Sequence, residues 1–214
     1  MLIRYWGHST FELESAGGYT LATDPFDPTV GYPMPSERAQ GITMSHGHFD
    51  HHYPEAFEGA EPMEGEGEWQ PAPGVRVRSV AAWHDECQGQ KRGPNRIFCF
   101  EMDGLRLCHL GDFGEDALSS EQLAAIGPVD ILFVPVGGYY TLSPEKALDV
   151  VRQLTPRVTI PMHYKTRVNA DWAIEPLSTF EALAGKCAGP YPILRVTKED
   201  IGCLPNLIEM SWDW

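Results

Sequence analysis

Thr43-Met44-Ser45-His46-Gly47-His48-Phe49-Asp50-His51-His52 crowds four imidazoles and a carboxylate into seven positions, directly behind an apolar run, Gly41-Ile42-Thr43-Met44. The run reads as the end of a buried strand. In extended backbone the side chains at i and i+2 point the same way, so His46 and His48 can converge on one metal ion, with Gly47 letting the chain come close. Asp50 and His51 follow where residues 49–57 begin a helical turn, so they face another direction and suit a second, adjacent ion. A solvated histidine cluster on a loop is the weaker alternative, because a folded chain has little structural use for so many titratable groups that are costly to bury.

A chain of 214 residues is long enough for one well-packed domain and short for two, so residues 1–214 are read as a single domain. Hydrophobic residues at 43% can fill a core, and 21 glycines with 18 prolines call for many turns. Lys and Arg number 16 against 30 Asp and Glu, a formal net charge of −14. That charge disfavours nucleic acid and anionic membranes as partners, since both are bound through basic residues facing phosphate. No apolar run approaches membrane-spanning length, and residues 1–6 pass into a polar motif without an apolar leader. The five cysteines, Cys87, Cys99, Cys108, Cys187 and Cys203, are odd in number and lack CxxC pairing, which fits reduced thiols. A cytoplasmic protein is expected, with Cys99 and Cys108 in its core.

Residues 2–6 and 10–14 read as strands, and Gly17-Gly18 turns the chain into a third, over 19–23, that ends at Asp24. Between the first two lies Gly7-His8-Ser9. Residues 26–40, with Tyr32 and Met34 among prolines, are too proline-rich for a helix and too apolar for an idle loop. They suit one wall of a pocket or the contact surface of a homo-oligomer. Residues 58–73, acidic and rich in Gly and Pro, read as a surface loop, and 75–80 as a half-exposed strand leading through Trp83 to His84-Asp85. The loop over 89–95 is the most basic in an acidic chain. Lys91 and Arg92 there, and Lys165 further on, read either as solvated charge or as contacts to an anionic group on a small-molecule substrate. Residues 96–102 and 105–110 form a hairpin about Asp103-Gly104, followed by Gly111-Asp112. A capping box at Ser119-Ser120-Glu121-Gln122 opens a helix to Ile126. Residues 129–136 are a buried strand, with Tyr139 and Tyr140 behind it as pocket candidates. Pro144 starts a helix whose inward face is read as Ala147, Leu148, Val151 and Leu154. Residues 158–162 are a strand that delivers His163-Tyr164-Lys165, Ser178 to Glu181 is a second capping box, and Trp212 to Trp214 an apolar anchor.

HxHxDH behind a strand, followed in order by His84, Asp112 and His163 at strand ends or adjoining turns, resembles the metallo-β-lactamase superfamily along essentially the whole chain. The Gly-His-Ser element, His109-Leu110-Gly111-Asp112 and Pro161-Met162-His163-Tyr164 are similar to its branch of small hydrolases that includes L-ascorbate-6-phosphate lactonase. The resemblance implies an α/β fold, a four-layer αββα sandwich of two mixed β-sheets flanked by helices, with the site along one edge. It implies that His46, His48 and His84 hold a first metal, that Asp50, His51 and His163 hold a second, and that Asp112 bridges them. Asp24 is expected to orient the HxHxDH loop, and His109 matches no ligand. In that branch His8 lies near the metals, although a turn histidine with a satisfied hydrogen bond accounts for it equally well. Two divalent ions are implied, Zn²⁺ first, with Mn²⁺ or Fe²⁺ also suited to an all-N/O donor set. Such a pair lowers the pKa of a shared water towards about 7 and polarises a carbonyl or phosphoryl oxygen. Asp50 would orient the nucleophile, and His8 or a pocket tyrosine would protonate the leaving group. The expected activity is metal-dependent hydrolysis of a small ester, lactone or phosphoester. A phosphodiesterase or nuclease of the same fold and a non-catalytic metal-binding module are the alternatives.

Overall fold

Alternation along the first strands builds one wall of the core: Ile3, Tyr5, Phe11, Leu13 and Leu21 are all buried and join a single apolar cluster. The computed structural model describes residues 1–36 and 38–213; Glu37 in the proline-rich stretch and Trp214 of the expected apolar anchor lie outside the described residues. The first half of the chain runs β1 (Leu2–Gly7), β2 (Thr10–Glu14), β3 (Thr20–Thr23), β4 (Gly41–Met44) and β5 (Glu61–Glu64). The second half runs β6 (Glu68–Ala72), β7 (Val75–Trp83), β8 (Pro94–Met102), β9 (Leu105–His109), α1 (Ser120–Ile126), β10 (Ile131–Pro135), α2 (Pro144–Leu154) and β11 (Val158–Met162). The tail adds α3 (Leu177–Ala184), β12 (Ala188–Tyr191), β13 (Ile193–Arg195) and β14 (Ile208–Met210).

These strands form two six-stranded sheets, ordered β13-β1-β2-β3-β4-β5 and β11-β10-β9-β8-β7-β6, and a small β12-β14 pair. Each large sheet is mixed. β1, β2 and β3 pair antiparallel and β3, β4 and β5 parallel; β6 to β9 pair antiparallel and β9, β10 and β11 parallel. The sheets face each other across a core that includes Phe11, Phe98, Phe100 and Phe133. On the outer face of the second sheet, Cys99, Cys108, Leu132 and Val134 are covered by residues of α1, α2 and α3, among them Ile126, Ala147 and Phe180. On the outer face of the first, Trp6, Ala22, Ile42 and Met44 are covered by Phe26, Val30, Tyr32, Ala39 and Phe57. The sandwich implied by the resemblance is therefore present, with the layer over its first sheet made of proline-rich chain and two short 3₁₀ turns, Pro28–Val30 and Pro54–Phe57.

Several local expectations hold for their stated reasons. Asp103 and Gly104 turn the β8–β9 hairpin with φ of 53° and 74°, as a two-residue turn of that hand requires. At α1, the Ser119 hydroxyl accepts from the Gln122 amide at 3.1 Å while the Gln122 side chain accepts from the Ser119 amide at 2.8 Å. Others are corrected. Residues 58–73 hold β5 and β6, not a loop: both are sheet edges, where exposed charge and a proline such as Pro71 are tolerated. α3 starts at Leu177 after Pro176, one residue before the expected Ser178 cap position, and has no side-chain cap. α2 buries Pro144, Ala147, Val150 and Leu154, with Leu148 and Val151 only half-buried. All five cysteines are free thiols, and Cys99 and Cys108 are buried. Among the described residues no helix is long and apolar enough to cross a membrane.

Candidate metal centre

The site is assembled where strands end. Asp24, one residue past β3, has φ +40°, and its amide donates to Thr43 O at 2.8 Å. Its carboxylate accepts from the Ser45 amide at 2.8 Å and hydroxyl at 2.6 Å, and lies 2.8 Å from His51 Nδ1. Asp24 thus holds one nitrogen of His51 and leaves Nε2 to face inward. His163, one residue past β11, has φ +51°, and its amide donates to His8 O at 2.9 Å. A Cβ on Gly137 would stand 2.2 Å from His163 O, so that glycine is what lets the two chain segments meet. Asp112 follows Gly111, whose φ is +56° and whose added Cβ would lie 2.4 Å from Asn95 Oδ1. Asn95, fully buried, donates to Leu110 O at 2.8 Å and accepts from the Asp112 amide at 3.0 Å. Sequence reasoning did not single out Asn95 or Ser45; an amide ahead of the apolar run of β8 was the available signal.

Four imidazoles converge on the Asp112 carboxylate. His51 Nε2 lies 3.0 Å from its Oδ1, while Nε2 of His84, His163 and His46 lie 3.0, 3.4 and 3.8 Å from its Oδ2. His48 Nδ1 is 3.0 Å from His46 Nε2. On the other side, His8 Nε2 is 3.0 Å from Asp50 Oδ2, and the His8 ring sits 4.2 Å from that of His163. Among the described residues, ligand atoms within 4.8 Å of one another form three groups: His46, His48 and His84; His8, Asp50, His51 and His163; and His46, His51 and Asp112. Although His51 Nε2 and Asp112 Oδ1 are close, they are not aligned as a hydrogen bond, and both are buried without a partner. Buried donor atoms that crowd together unsatisfied fit a cation, and this N/O set is one that divalent metals accept.

Burial and the neighbouring His51 lower the His46 pKa to about 3, and burial and His163 lower that of His8 to about 4. Burial works the same way on His51, but Asp112 and Asp50 outweigh it and hold its pKa well above the usual value. For Asp112, burial pushes upward and His163 and His51 more than offset it, leaving the carboxyl ionised. Neutral imidazoles at His46 and His8 and an ionised Asp112 suit metal binding, whereas His51, whose proton Asp112 and Asp50 favour, must give that proton up to a cation bound between them.

The cluster opens into a cleft of about 580 Å³ lined by His48, Phe49, Arg92, Tyr140 and Trp172 among others. None of the described residues of the 26–40 stretch lines it; Phe26, Val30, Tyr32 and Ala39 pack on the outer face of the first sheet instead. His8, fully buried, is not among the residues that line it and stands behind Asp50, its Nε2 3.0 Å from Asp50 Oδ2. Tyr140 does line it. Lys91 pairs with Glu86, and Lys165 lines a different cavity beside Trp212. Gly47 is not needed for close approach, since a Cβ there meets nothing within 4 Å. His109, 2.9 Å from Ser9 O through Nε2, ties the sheets together below the site.

Residues 2–163 match the family described as the beta-lactamase superfamily domain. A UPF0173 metal-dependent hydrolase of Thermoplasma acidophilum is 32% identical over 223 residues, spanning 90% of this chain and 94% of its own. The crystal structure of a candidate zinc-dependent hydrolase of the metallo-β-lactamase superfamily from Thermotoga maritima superposes with a TM-score of 0.77, at 32% identity, over 98% of both chains. Igni18, a metallo hydrolase from Ignicoccus hospitalis, shares the fold with a TM-score of 0.65 at 20% identity, over 92% of this chain and 99% of its own. The chain belongs to the metallo-β-lactamase superfamily and is one of its metal-dependent hydrolases.

Proposed function

We propose that this protein hydrolyses a small ester, lactone or phosphoester in the cytoplasm with two divalent cations held around Asp112. The observation that carries the reading is the convergence of four imidazole Nε2 atoms on one buried carboxylate, with buried donor atoms left unsatisfied. In this reading His46, His48 and His84 hold one ion, Asp50, His51 and His163 the other, and Asp112 lies between them. Zn²⁺ suits the donor set, as do Mn²⁺ and Fe²⁺. When bound, such ions supply Lewis acidity and lower the pKa of water towards about 7.

The remaining work falls to the chain. Asp24 fixes His51 through Nδ1. His8 braces Asp50 from behind through Oδ2, which orients that carboxylate at the edge of the cleft. Tyr140 provides the cleft hydroxyl able to donate to a leaving oxygen. Phe49 and Trp172, with ring centroids 6.2 Å apart, limit water and favour a small substrate. The free thiols support a reducing compartment. The test is to load the protein with Zn²⁺, Mn²⁺ and Fe²⁺ in turn, count bound metal, and assay p-nitrophenyl acetate, γ-butyrolactone, p-nitrophenyl phosphate and bis(p-nitrophenyl) phosphate. Close to two ions per chain with chelator-sensitive turnover is expected. Absence of metal uptake overturns the reading, and a preference for the phosphodiester replaces it with a phosphodiesterase.

A further inference from the structure

The segment directly behind His84 is built around one buried carboxylate. Asp85 is 1% exposed, and its oxygens accept from four backbone amides: Cys87 at 2.9 Å and Gly89 at 2.8 Å on Oδ1, Lys91 at 2.9 Å and Arg92 at 2.8 Å on Oδ2. The loop closes further through the His84 amide on Gly93 O at 3.1 Å and the Gly93 amide on Gly89 O at 2.9 Å. Gly89, with φ +79°, lies so close to the Trp83 ring that a Cβ would stand 2.6 Å from Cε3. None of residues 86–92 is buried, so this much internal order does not serve the core.

What the loop does is place Arg92. Its guanidinium donates to Tyr139 O at 3.0 Å, stands 5.7 Å from the Tyr140 ring centroid, and lines the same cleft as His84 and Asp112. Lys91 pairs with Glu86, whereas among the described residues Arg92 has no carboxylate within ion-pair distance, not even Asp171 at the cleft. In a chain of net charge −14, an unpaired guanidinium turned towards a catalytic cleft is a specific exception. A guanidinium carries five N–H donors, so one bond to Tyr139 leaves a fork free for a carboxylate or phosphate.

We propose that Arg92 is the anion subsite of this cleft and that Asp85 is the positioning residue that holds it. The substrate, on the hydrolase reading above, is then a small ester, lactone or phosphoester bearing a second group, a carboxylate or phosphate, away from the cleaved bond. The test reads binding without turnover. Metal-loaded protein is titrated calorimetrically with glutarate, adipate and pimelate, each against its monomethyl ester, and with the matching phosphonocarboxylates, so that chain length brackets the cleft and the two anions are separated. At one length or more, the dianion binds about tenfold or more tighter than the monoester. Arg92→Gln and Asp85→Asn both bring that ratio towards one while metal content is retained. If Asp85 served stability alone, Asp85→Asn would lower the melting temperature and leave the ratio intact. Wild-type protein without preference at any length, or Arg92→Gln with its preference kept, overturns the proposal. A protein that prefers dianions yet cleaves no ester, lactone or phosphoester defeats the hydrolase reading alone.

Discussion

The two halves of the molecule are built on one plan, an antiparallel run that turns into three parallel strands, yet they deliver the site differently. In the first half, one loop behind β4 carries His46, His48, Asp50 and His51, with Asp24 braced beneath it. In the second half, His84, Asp112 and His163 come singly from the ends of β7, β9 and β11. In open sheets the carboxyl ends of parallel strands are where ligands gather. A loop ligand is placed by residues next to it in sequence, whereas a lone ligand depends on register and on distant supports such as Asn95 for Asp112 or His8 O for His163.

Asp112→Asn tests the second half hardest. The amide keeps the shape and the backbone bond to Asn95, but it cannot balance the two dications proposed above or face four imidazole nitrogens as an anion. A folded protein is expected, with metal lost and kcat lower by about a thousandfold or more, each tenfold being about 1.4 kcal/mol. Metal analysis beside steady-state kinetics checks it. Near wild-type turnover with both metals kept would leave Asp112 no bridging role.

Chelation should come next in size, because bound metal stabilises only the folded form. With free metal at a hundred times its Kd the contribution is about 2.7 kcal/mol, so the melting temperature should fall on adding chelator and rise with metal concentration. Asp112→Asn should lose most of this dependence. A metal-independent melting temperature in the wild type would contradict the fit of cluster to cation.

The paired glycine substitutions contrast the halves at equal chemistry. Gly111→Ala meets Asn95 Oδ1 at 2.4 Å and Ser45 Cβ at 2.6 Å, from a φ of +56°, and should destabilise by about 1–3 kcal/mol while displacing Asp112. Gly47→Ala, inside the motif itself, meets nothing within 4 Å and should stay within about 0.5 kcal/mol of wild type. Denaturant midpoints of the metal-free proteins separate the two. Smallest of all is the effect of His48→Ala on the metal-free fold, since His48 is exposed: stability should again change by under about 0.5 kcal/mol, with metal affinity falling. A large loss of stability would mean that this exposed imidazole is part of the packing.

The difference between the halves also governs how far each was legible from residue order alone. The motif loop was legible as a metal-site candidate because its His and Asp residues are neighbours in the chain, and imidazoles at that density serve little purpose besides holding a metal. The β8–β9 turn and the α1 capping box were legible for the same local reason. β5 and β6 were hidden because edge strands lack the apolar alternation that marks a buried one: of β5 only Met63 is buried. The α2 face was nearly right, with Val150 inward in place of Leu148 and Val151, because helical spacing alone leaves the stripe free to rotate by one position.

The sequence by itself determined the fold class, the presence of a His/Asp-rich loop able to hold metal and the candidacy of His84, Asp112 and His163, since residue types and their order carry those. Only the tertiary structure decided which atoms face one another. It set four Nε2 atoms on Asp112, put His8 behind Asp50 and out of the cleft, and separated Arg92 from Lys91 and Lys165, three cations alike on paper. The reason is physical: ligand and substrate geometry depends on where strands from distant parts of the chain end beside one another, and their register is set by the packing of the core between the two sheets.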